Sequence, residues 1–295
     1  MSGLGDEYLT TKELAELLHL KERKVYDLAA SGQVPCSRAT GKLLFPRQAV
    51  EAWIASKSSG PATSTSAERP AVFLGSHDPL LEWSLRESRC GLATYFDGSL
   101  DGLERFAGRE GAASALHLYS AGDEDWNTPA VRSRFGGEPV ALIEFAWRER
   151  GLIVGGEGHS RPQGLDDLRG RRVVPRQSGA GSQALLEHLL GAAGVPLTEL
   201  DLIPAARSER DAAVAVLEGE ADVAFGLRGL ADQYRLDFVP ICRERFDLLV
   251  DRRAWFDEPL QTLNRFFHSR EFAGRAAGLR GYDIDGLGRV HFNGG

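Results

Sequence analysis

A stretch of fourteen residues near the start of the chain divides it into two separately folded parts. Residues 56–69 read SKSSGPATSTSAER, are rich in Ser, Thr, Gly, Pro and Ala, and have no hydrophobic period. Such a composition predicts a flexible connector. The alternative is a long surface loop within one domain, although structureless loops of this length are uncommon in compact domains. The predicted organisation is a small domain at 1–57, a flexible linker at 58–69 and a large domain at 70–295.

The charge is unevenly distributed between these parts. The whole chain carries a formal net charge of −7, but residues 1–57 hold eight basic and seven acidic side chains. Within residues 21–47 the balance is six basic against two acidic. The acidic average therefore does not argue against nucleic-acid binding by the small domain.

The sequence lacks two features that would direct a protein to a membrane or out of the cytoplasm. No apolar run approaches the roughly 20 residues that cross a bilayer. The first residues, MSGLGDEYLTTKE, lack the basic and apolar regions of a secretory signal. We therefore expect a cytoplasmic protein that is not embedded in a membrane.

The cysteines do not form a metal or disulfide pattern. Cys36, Cys90 and Cys242 are odd in number, far apart and without a CxxC pair. We expect no metal site and no disulfide framework.

The small domain begins with strong helix signals. Thr10 and Glu13 fit a capping box, in which the threonine hydroxyl and the glutamate each satisfy a free N–H of the first turn. Leucines then follow at helical spacing on one face, at positions 14, 17 and 18.

A second helix and a hairpin follow. A short turn at His19-Leu20 precedes a helix over about 21–30, and Gly32 suits the position just after its end. Residues 36–45 read as a short hairpin, and Pro46 suits the first turn of a third helix. The predicted order is helix, turn, helix, wing and helix.

This order and these residues resemble the excisionase/MerR-like winged helix-turn-helix family. The resemblance rests on YLTTKELAELLHLKERKVYDLAASGQVP and on GKLLFPRQAVEAWI, and it covers about residues 8–55. It implies that the second helix lies in the major groove of double-stranded DNA and that the hairpin contacts phosphate or the minor groove. The implied DNA-binding residues are Lys21, Arg23, Lys24 and Tyr26 on the helix and Arg38 and Lys42 on the wing. Solvation of a charged face, and a core position for Tyr26, are the alternatives.

The large domain alternates short apolar runs with amphipathic segments. AVFLGS, LATYF, ALHLYS, GLIVG, RRVVP, ADVAFG and DFVPI are strand candidates. Residues 79–88, 99–109, 179–193, 209–219 and 257–269 are helix candidates. This alternation predicts an α/β domain, in which ligands collect beyond the carboxyl ends of strands.

Three predicted strand-to-helix junctions carry glycine and serine. They are Gly75–Asp78, Asp97–Ser99 and Arg176–Ser182. Glycine lets the backbone approach a ligand, serine adds a donor, and a helix start adds positive potential. Such turns predict a site for an anionic or oxygen-rich ligand, with simple helix capping as the alternative.

Residues 71–290 resemble the type II periplasmic-binding-protein-like domain found beside helix-turn-helix modules and fused to molybdopterin-biosynthesis proteins. The resemblance rests on His117-Leu118, Trp126–Pro129, EPVALIEFAWRERGLIV, RRVVPRQSGAGSQALLEHLL and DFVPICRERFDLL. It implies two lobes with a cleft between them, lobe one at about 70–154 and 244–295 and lobe two at about 155–243. It also implies sensing of molybdate, tungstate or a pterin cofactor species.

The chain departs from the family pattern at two positions. The usual Gly-Ser-Gly-Thr-Arg is replaced by Gly179-Ala180-Gly181-Ser182-Gln183, so a hydroxyl and a guanidinium are missing. These changes leave the fold inference intact and put the identity of the ligand in doubt.

The turns and the resemblance together define an expected ligand site. Arg148 and Arg176 are its candidate cations, with ion pairing as the alternative for both. His117 could contact ligand or be buried, and Trp126 could stack on a ring or pack. The full expected set is Ser76, His77, Ser99, His117, Trp126, Asn127, Arg148, Arg176, Gln177, Ser178, Gly179, Ala180, Gly181 and Ser182.

These observations favour a one-component transcription regulator that responds to a ligand. It would act as a homodimer on double-stranded DNA, respond to a small anion and need no cofactor. The alternative is an enzyme or assembly protein of molybdenum-cofactor metabolism whose winged helix contacts protein. Against an enzyme, the sequence has no nucleophile elbow, HExxH, P-loop or GxGxxG after a strand.

Overall fold

A computed structural model describes residues 8–37, 41–47, 49–50, 53–54, 68–155 and 161–295. The chain divides into two compact units, Met1–Ala67 and Glu68–Gly295. The predicted linker lies largely outside the described residues.

The small unit contains the predicted helix pair. Helix α1 spans Thr11–Leu17 and helix α2 spans Glu22–Ala30. The capping box is present, because the Thr10 N–H donates to Glu13 Oε2 at 2.7 Å and the Glu13 N–H donates to Thr10 Oγ1 at 3.3 Å. Gly32 has the left-handed φ of +69° expected after a helix end.

Short strands close the small unit. Strand β1, Tyr8–Leu9, pairs antiparallel with β2, Phe45–Pro46. A bridge between Ser37 and Leu44 forms the base of the predicted hairpin. Residues 47, 49, 50, 53 and 54 are helical, and a buried core joins these elements through Leu14, Val25, Ala29, Phe45 and Val50.

The large unit is built on one continuous mixed sheet. Its strands are β3 (Val72–Gly75), β4 (Ala93–Phe96), β5 (Ala113–Leu116), β8 (Val140–Val154), β9 (Arg172–Val174), β10 (Asp201–Leu202), β11 (Val223–Leu227), β12 (Asp237–Asp251), β13 (Tyr282–Asp283) and β14 (Val290–Asn293). The order is β10-β9-β11-β8-β12-β5-β3-β4, with β13 and β14 also paired to β8. A separate pair, β6 (Tyr119–Ser120) and β7 (Asp125–Trp126), lies outside it.

Helices cover the faces of this sheet. They are α3 (Pro79–Glu87), α4 (Ser99–Ala107), α5 (Thr128–Phe135), α6 (Gly181–Ala192), α7 (Glu209–Leu217), α8 (Arg228–Tyr234), α9 (Glu258–Phe267) and α10 (Arg270–Ala277). Each of the five helix candidates coincides with one of them. The predicted fold class, a winged helix-turn-helix joined to a two-lobed α/β domain, is confirmed.

The two long strands, β8 and β12, connect the lobes. Strand β8 pairs with β13 and β14 of lobe one along residues 141–148, and with β11 of lobe two along residues 150–154. The change of partner strands lies near Glu149, in the middle of β8, whereas the family resemblance implied a lobe boundary at about residues 154–155. Strand β12 runs back beside it and reaches β5 of lobe one at Asp247.

Each lobe has its own apolar core. Lobe one packs around Phe73, Phe145, Phe246 and Phe272, whereas lobe two packs around Leu152, Val173, Leu186 and Phe225. The lobes share the sheet through the middle of β8 and β12. This arrangement places a cleft over that region.

Candidate ligand site in the cleft of the large unit

A small cavity lies between the two lobes. Its volume is about 110 Å³. It is lined by Ser76, His77, Phe96, Gly98 and His117 from lobe one and by Arg176, Ala180, Ser182, Arg207, Ser208 and Glu209 from lobe two.

Three helix starts contribute to the lining. Gly98 precedes α4, Ala180 precedes α6 and Ser208 precedes α7. Neither Gly98 nor Ala180 has a side chain that accepts a hydrogen bond from the first turn of its helix. The first N–H groups of α4 and α6 therefore have no N-cap side chain as a partner. Unbonded N–H groups at a helix start favour an anion.

The lobe-one wall is held by two serines. Ser76 Oγ and Ser99 Oγ lie 2.7 Å apart, and Ser99 Oγ accepts the N–H of His117 at 3.1 Å. When Ser99 donates to Ser76, the hydroxyl hydrogen of Ser76 is available to a ligand. Ser99 is fully buried and positions Ser76 and His117.

The lobe-two wall contains a hydroxyl group without a protein partner. Ser182 Oγ is buried and has no hydrogen-bond partner among the described residues. The same holds for both amide atoms of the Gln177 side chain, which belongs to the turn before α6 but does not line the cavity. Gln183 does not share this property, because its Oε1 accepts the N–H of Arg176 at 2.8 Å and its Nε2 donates to Glu187. The glutamine at the second family departure therefore stabilises the turn.

Arg176 lies at the floor of the cavity. Its Nε donates to the carbonyl of Ala206 at 3.1 Å, and one Nη donates to the carbonyl of Arg207 at 2.9 Å. The other nitrogen, Nη1, is buried. It lies 3.2 Å from Glu209 Oε1, close enough for an ion pair, but it forms no hydrogen bond within the described chain. Burial lowers the pKa of the guanidinium, an effect that Glu209 partly opposes.

A buried ion-pair network lies beneath the cavity, where β8 and β12 cross between lobes. Arg148 pairs with Asp78 at 2.8 Å and also with Glu244, and Arg150 pairs with Glu244 at 2.7 Å and with Glu209 at 3.1 Å. The network thus connects α3 and β12 to the start of α7. Charges buried this deeply require such pairing.

The charges of the network fix one another's protonation. Burial raises the pKa of Glu244, but Arg148 and Arg150 together hold it well below its usual value. Glu209 follows the same pattern through Arg150 and Arg176. For His117, burial lowers the pKa more than Glu244 raises it, so the imidazole is held neutral with Nδ1 3.1 Å from that carboxylate.

The two lobes touch through backbone at two glycines. The N–H of Leu100 donates to the carbonyl of Gly179 at 3.4 Å, and Gly98 has a φ of +113°. A Cβ on Gly98 would lie 2.8 Å from that carbonyl, and a Cβ on Gly181 would lie 2.7 Å from the carbonyl of His117. Glycine at both positions permits the close approach of the lobes.

The structure brings most of the expected residues together. Ser76, His77, His117, Arg176, Ala180 and Ser182 line the cavity, and Ser99, Gly179 and Gly181 support its walls. Ser178 is exposed beside the turn, and Gln177 is half-buried.

Three expected residues have structural contacts instead. Arg148 does not line the cavity, since its guanidinium is used in the network and lies 4.0 Å from the Phe246 ring centroid. Trp126 packs against Tyr119, with ring centroids 5.0 Å apart. Asn127 accepts the N–H of Leu118 and donates to Asp247. For Arg148 and Trp126 the ion-pairing and packing alternatives are the ones observed.

The expected set omitted other lining residues, namely Phe96 and the segment 207–209, whereas Gly98 belongs to the predicted turn Asp97–Ser99. Ser208 and Asp211 form a capping box at the start of α7. The Ser208–Asp211 pattern is visible in the sequence and predicts a helix start in addition to the three junctions named in the sequence analysis. It does not predict that the start of α7 lies at the cleft.

The small unit presents its predicted cations outward. Lys21, Arg23, Lys24 and Lys42 are exposed, and Tyr26 is 51% exposed, so it is not a core residue. Val25 and Ala29 occupy the buried face of α2 instead. Arg38 lies outside the described residues.

Comparison with known proteins agrees with this architecture. Residues 8–58 match a helix-turn-helix domain family, and residues 82–268, more than half of the chain, match the PBP superfamily domain. The fold and cleft define a periplasmic-binding-protein-like domain preceded by a helix-turn-helix domain. The chain belongs to the PBP superfamily.

Relatives and solved structures are distant. The chain is 28% identical over 304 aligned residues to the uncharacterised protein YvgK of Bacillus subtilis (strain 168), covering 95% of this chain and 96% of that one. It is similar in fold to a phosphate ABC transporter substrate-binding protein of Clostridium perfringens solved with bound phosphate. That match has a TM-score of 0.54 and 13% identity, and it covers 70% of this chain and 96% of the other.

None of the helices in the described part of the chain is both long enough and apolar enough to cross a membrane.

Proposed function

We propose that this chain is a ligand-responsive transcription regulator. The large unit binds a small tetrahedral oxyanion of the molybdate or tungstate type in the cleft cavity. The small unit binds double-stranded DNA, and the protein acts as a homodimer in the cytoplasm, the compartment that holds bacterial DNA.

The observation that carries the ligand proposal is a pair of buried donor groups at one cavity that lack hydrogen-bond partners. Ser182 Oγ has no hydrogen-bond partner in the described chain, and Arg176 Nη1 has an ion pair with Glu209 Oε1 at 3.2 Å but no hydrogen bond there. Leaving a buried polar group such as the Ser182 hydroxyl unsatisfied costs about 1–3 kcal/mol. A ligand with several acceptor oxygens would supply a hydrogen-bond partner to both groups.

The size of the cavity favours a small anion over a pterin cofactor. At about 110 Å³ it is well below the roughly 300–1,000 Å³ typical of sites for drug-sized ligands. Trp126, the residue expected to stack on a larger ligand, is packed in the lobe-two core. The phosphate held by the structurally similar Clostridium perfringens protein belongs to the same tetrahedral class.

Calorimetric titration with molybdate, tungstate, sulfate and phosphate tests the ligand proposal. We expect at least one of the four to bind with a dissociation constant well below millimolar. Arg176→Ala should weaken that binding by about one to two orders of magnitude, because a hydrogen bond to a charged group contributes about 1.5–3 kcal/mol. Arg169→Ala is the matched control, since Arg169 lies in the same lobe with surface carboxylates as partners. The oxyanion proposal is wrong if none of the four anions binds.

DNA binding by the small unit is tested with the full chain and duplex DNA at several salt concentrations. Counterion release predicts an affinity that falls steeply as salt rises. Reversing Lys21 and Arg23 to Glu should abolish binding because both side chains project from the exposed face at the start of α2. Reversing the exposed Arg86 and Arg265 to Glu changes the net charge equally and should leave DNA affinity nearly unchanged.

A further inference from the structure

A second cavity, of about 450 Å³, lies in lobe one and shares no lining residue with the cleft cavity. Three of its lining residues are neighbours on adjacent strands, since Ala141 of β8 pairs with Val250 of β12 on one side and with Asn293 of β14 on the other. The 3₁₀ helix Ala254–Phe256 and helix α9 supply further lining residues. The volume falls within the roughly 300–1,000 Å³ that is typical of small-molecule sites.

Exposed apolar side chains border this second cavity. Phe256 is 77% exposed and Val290 is 54% exposed, and both belong to the lining. Ile143, Val250 and Trp255 add apolar surface from the edge of the lobe-one core. Exposed apolar residues that are scattered singly need no explanation, but several around one concave surface mark a binding site. An apolar ligand in this cavity would bury their surface and be held by the hydrophobic effect.

The polar part of the lining provides hydrogen-bond donors without an acidic group. Arg252 is exposed and donates through Nη1 to the carbonyl of Gly294 at 2.8 Å, whereas its Nε and Nη2 form no hydrogen bond within the described chain. The side-chain amide of Asn264 also has no hydrogen bond there. Neither Asp nor Glu is found among the described residues that line the cavity. A guanidinium with available donors beside an apolar surface favours a ligand that carries a negative charge.

We propose that the second cavity binds an amphipathic aromatic anion, a ring system that carries one carboxylate or sulfonate. The rings contact Trp255, Phe256 and Val290, and the anionic group accepts hydrogen bonds from Arg252. This ligand is distinct from the oxyanion of the cleft, because the two cavities share no residue and the cleft cavity, at about 110 Å³, is too small for it.

The test is a fluorescence titration of the full chain with 1-anilinonaphthalene-8-sulfonate, a dye that has both the rings and the anionic group. The emission of this dye rises when it binds apolar protein surface. We expect saturable binding of one dye per chain. Naphthoate should displace the dye, whereas acetate should not, because acetate has the charge without the rings.

Filling the cavity tests whether the dye binds there. Asn264→Trp introduces a large side chain into the lining from α9 and should weaken dye binding by at least tenfold. Arg265→Trp places the same side chain at the next position of α9, which is exposed and does not line the cavity, and it should bind the dye like the wild type. Thermal melting of both variants checks that they remain folded.

Removing the cation tests the anionic part of the ligand. Arg252→Gln should weaken dye binding by about tenfold, because a charge-assisted hydrogen bond is lost. It should leave the binding of N-phenyl-1-naphthylamine unchanged, since this uncharged molecule has the rings without the sulfonate. Arg270→Gln removes the same charge at an exposed position outside the lining and should leave both affinities unchanged.

Several results would overturn the proposal. Absence of saturable dye binding, or equal dye binding by the wild type and Asn264→Trp, would show that the cavity does not take such a ligand. If Arg252→Gln affects the dye and the uncharged amine equally, the anionic class is wrong. A dimer in light scattering that Asn264→Trp converts to a monomer, with no dye bound to the wild type, would mean that a second copy of the chain covers this surface. The oxyanion proposal stands or falls separately, on the four-anion titration of the cleft.

Discussion

Individual polar residues of the large unit differ in whether they stabilise the fold or are available to bind a ligand. Most buried polar side chains in this unit serve the fold, as Ser84 does by donating to the carbonyl of Leu80 at 2.6 Å. Ser182 differs because its buried hydroxyl has no partner in the described chain. A group that costs stability in the free protein and gains a bond in the complex is expected at a binding site.

Ser182→Ala should therefore move stability and affinity in opposite directions. Removing an unsatisfied buried hydroxyl should leave the free energy of unfolding unchanged or raise it by about 1 kcal/mol. Affinity for the bound oxyanion should fall by about threefold to tenfold. Denaturant unfolding and calorimetry measure the two effects.

Ser269→Ala provides the matched control. Ser269 caps α10 by accepting the N–H of Phe272 at 3.1 Å, and it is not among the residues that line the cavity. Its loss should lower stability by about 1 kcal/mol and leave ligand affinity unchanged. If Ser182→Ala behaves in the same way as this control, Ser182 Oγ does not contact the ligand.

Glu244 differs from Ser182, because the fold requires the charge of Glu244. It pairs with both Arg148 and Arg150 while fully buried. Glu244→Gln leaves two buried guanidinium groups undercompensated and should destabilise the large unit by about 3–5 kcal/mol. Glu104→Gln, which removes an exposed partner of Arg134, should change stability little, and thermal melting compares the two.

The same carboxylate sets a pH dependence of stability. The folded-state pKa of Glu244 lies well below the ordinary value of 4.5. Its contribution is therefore complete above that ordinary value and is lost as the pH falls toward the folded-state pKa. Acid should destabilise the wild type through this group, and the slope of melting temperature against pH below 4.5 should be smaller in Glu244→Gln.

At the scale of elements, the sequence predicted the helices better than the central strands. All five helix candidates were found because capping residues and apolar periodicity are local signals. GLIVG and DFVPI were each predicted as short strands, but they cover only the end of β8 and the start of β12, which span 15 residues each. The remaining parts of these strands include the charged runs Arg148-Glu149-Arg150 and Arg243-Glu244-Arg245.

These charged runs are the reason why the full length of β8 and β12 was not predicted, and the cause is physical. Charged side chains are almost never fully buried unless paired, so a charged run in one sequence suggests surface. Here the partners are on other segments, since Arg150 meets Glu209 of α7 and Glu244 of β12. Pairing across distant segments is not visible in a local pattern. For Arg148 the sequence therefore left ion pairing as an alternative to the ligand contact that the family resemblance implied.

Helix α6 allows a comparison of two glycines within one element. Gly181→Ala would place a Cβ 2.7 Å from the carbonyl of His117, so the start of α6 must move away from lobe one. We expect a loss of oxyanion affinity of at least tenfold, because the wall formed by Ala180 and Ser182 moves with it. Calorimetry measures this loss.

Gly191→Ala, near the other end of the same helix, is the control. A Cβ there meets nothing within 4 Å. Alanine is favoured over glycine in a helix, so stability should rise by about 0.5–1 kcal/mol with ligand affinity unchanged. Equal affinity in the two variants would show that the contact between α6 and His117 is not needed for binding.

At the scale of the whole molecule, a small DNA-binding unit raises the question of how the chain reads enough sequence. One recognition helix contacts only a few base pairs, and helix-turn-helix proteins reach adequate specificity as dimers on half-sites about 34 Å apart. A flexible coil of fourteen residues, the length of the segment 56–69, would span roughly 20 Å, at about 5–6 Å times the square root of the residue number. Two such linkers can place two small units on neighbouring half-sites when the large units associate.

We therefore predict a homodimer on DNA. Light scattering of the complex, corrected for the mass of the duplex, should give about twice the 32.1 kDa of one chain. The isolated large unit, Glu68–Gly295, should remain dimeric if it supplies the interface, and it forms a separate compact unit suited to this test. Shortening the linker to a few residues should reduce affinity for paired half-sites while leaving dimerisation intact, since the reach is lost and the interface is kept. A stable monomer on DNA at saturating protein would contradict the prediction, and a dimer that tolerates the short linker would show that the spacing is set by the large units instead.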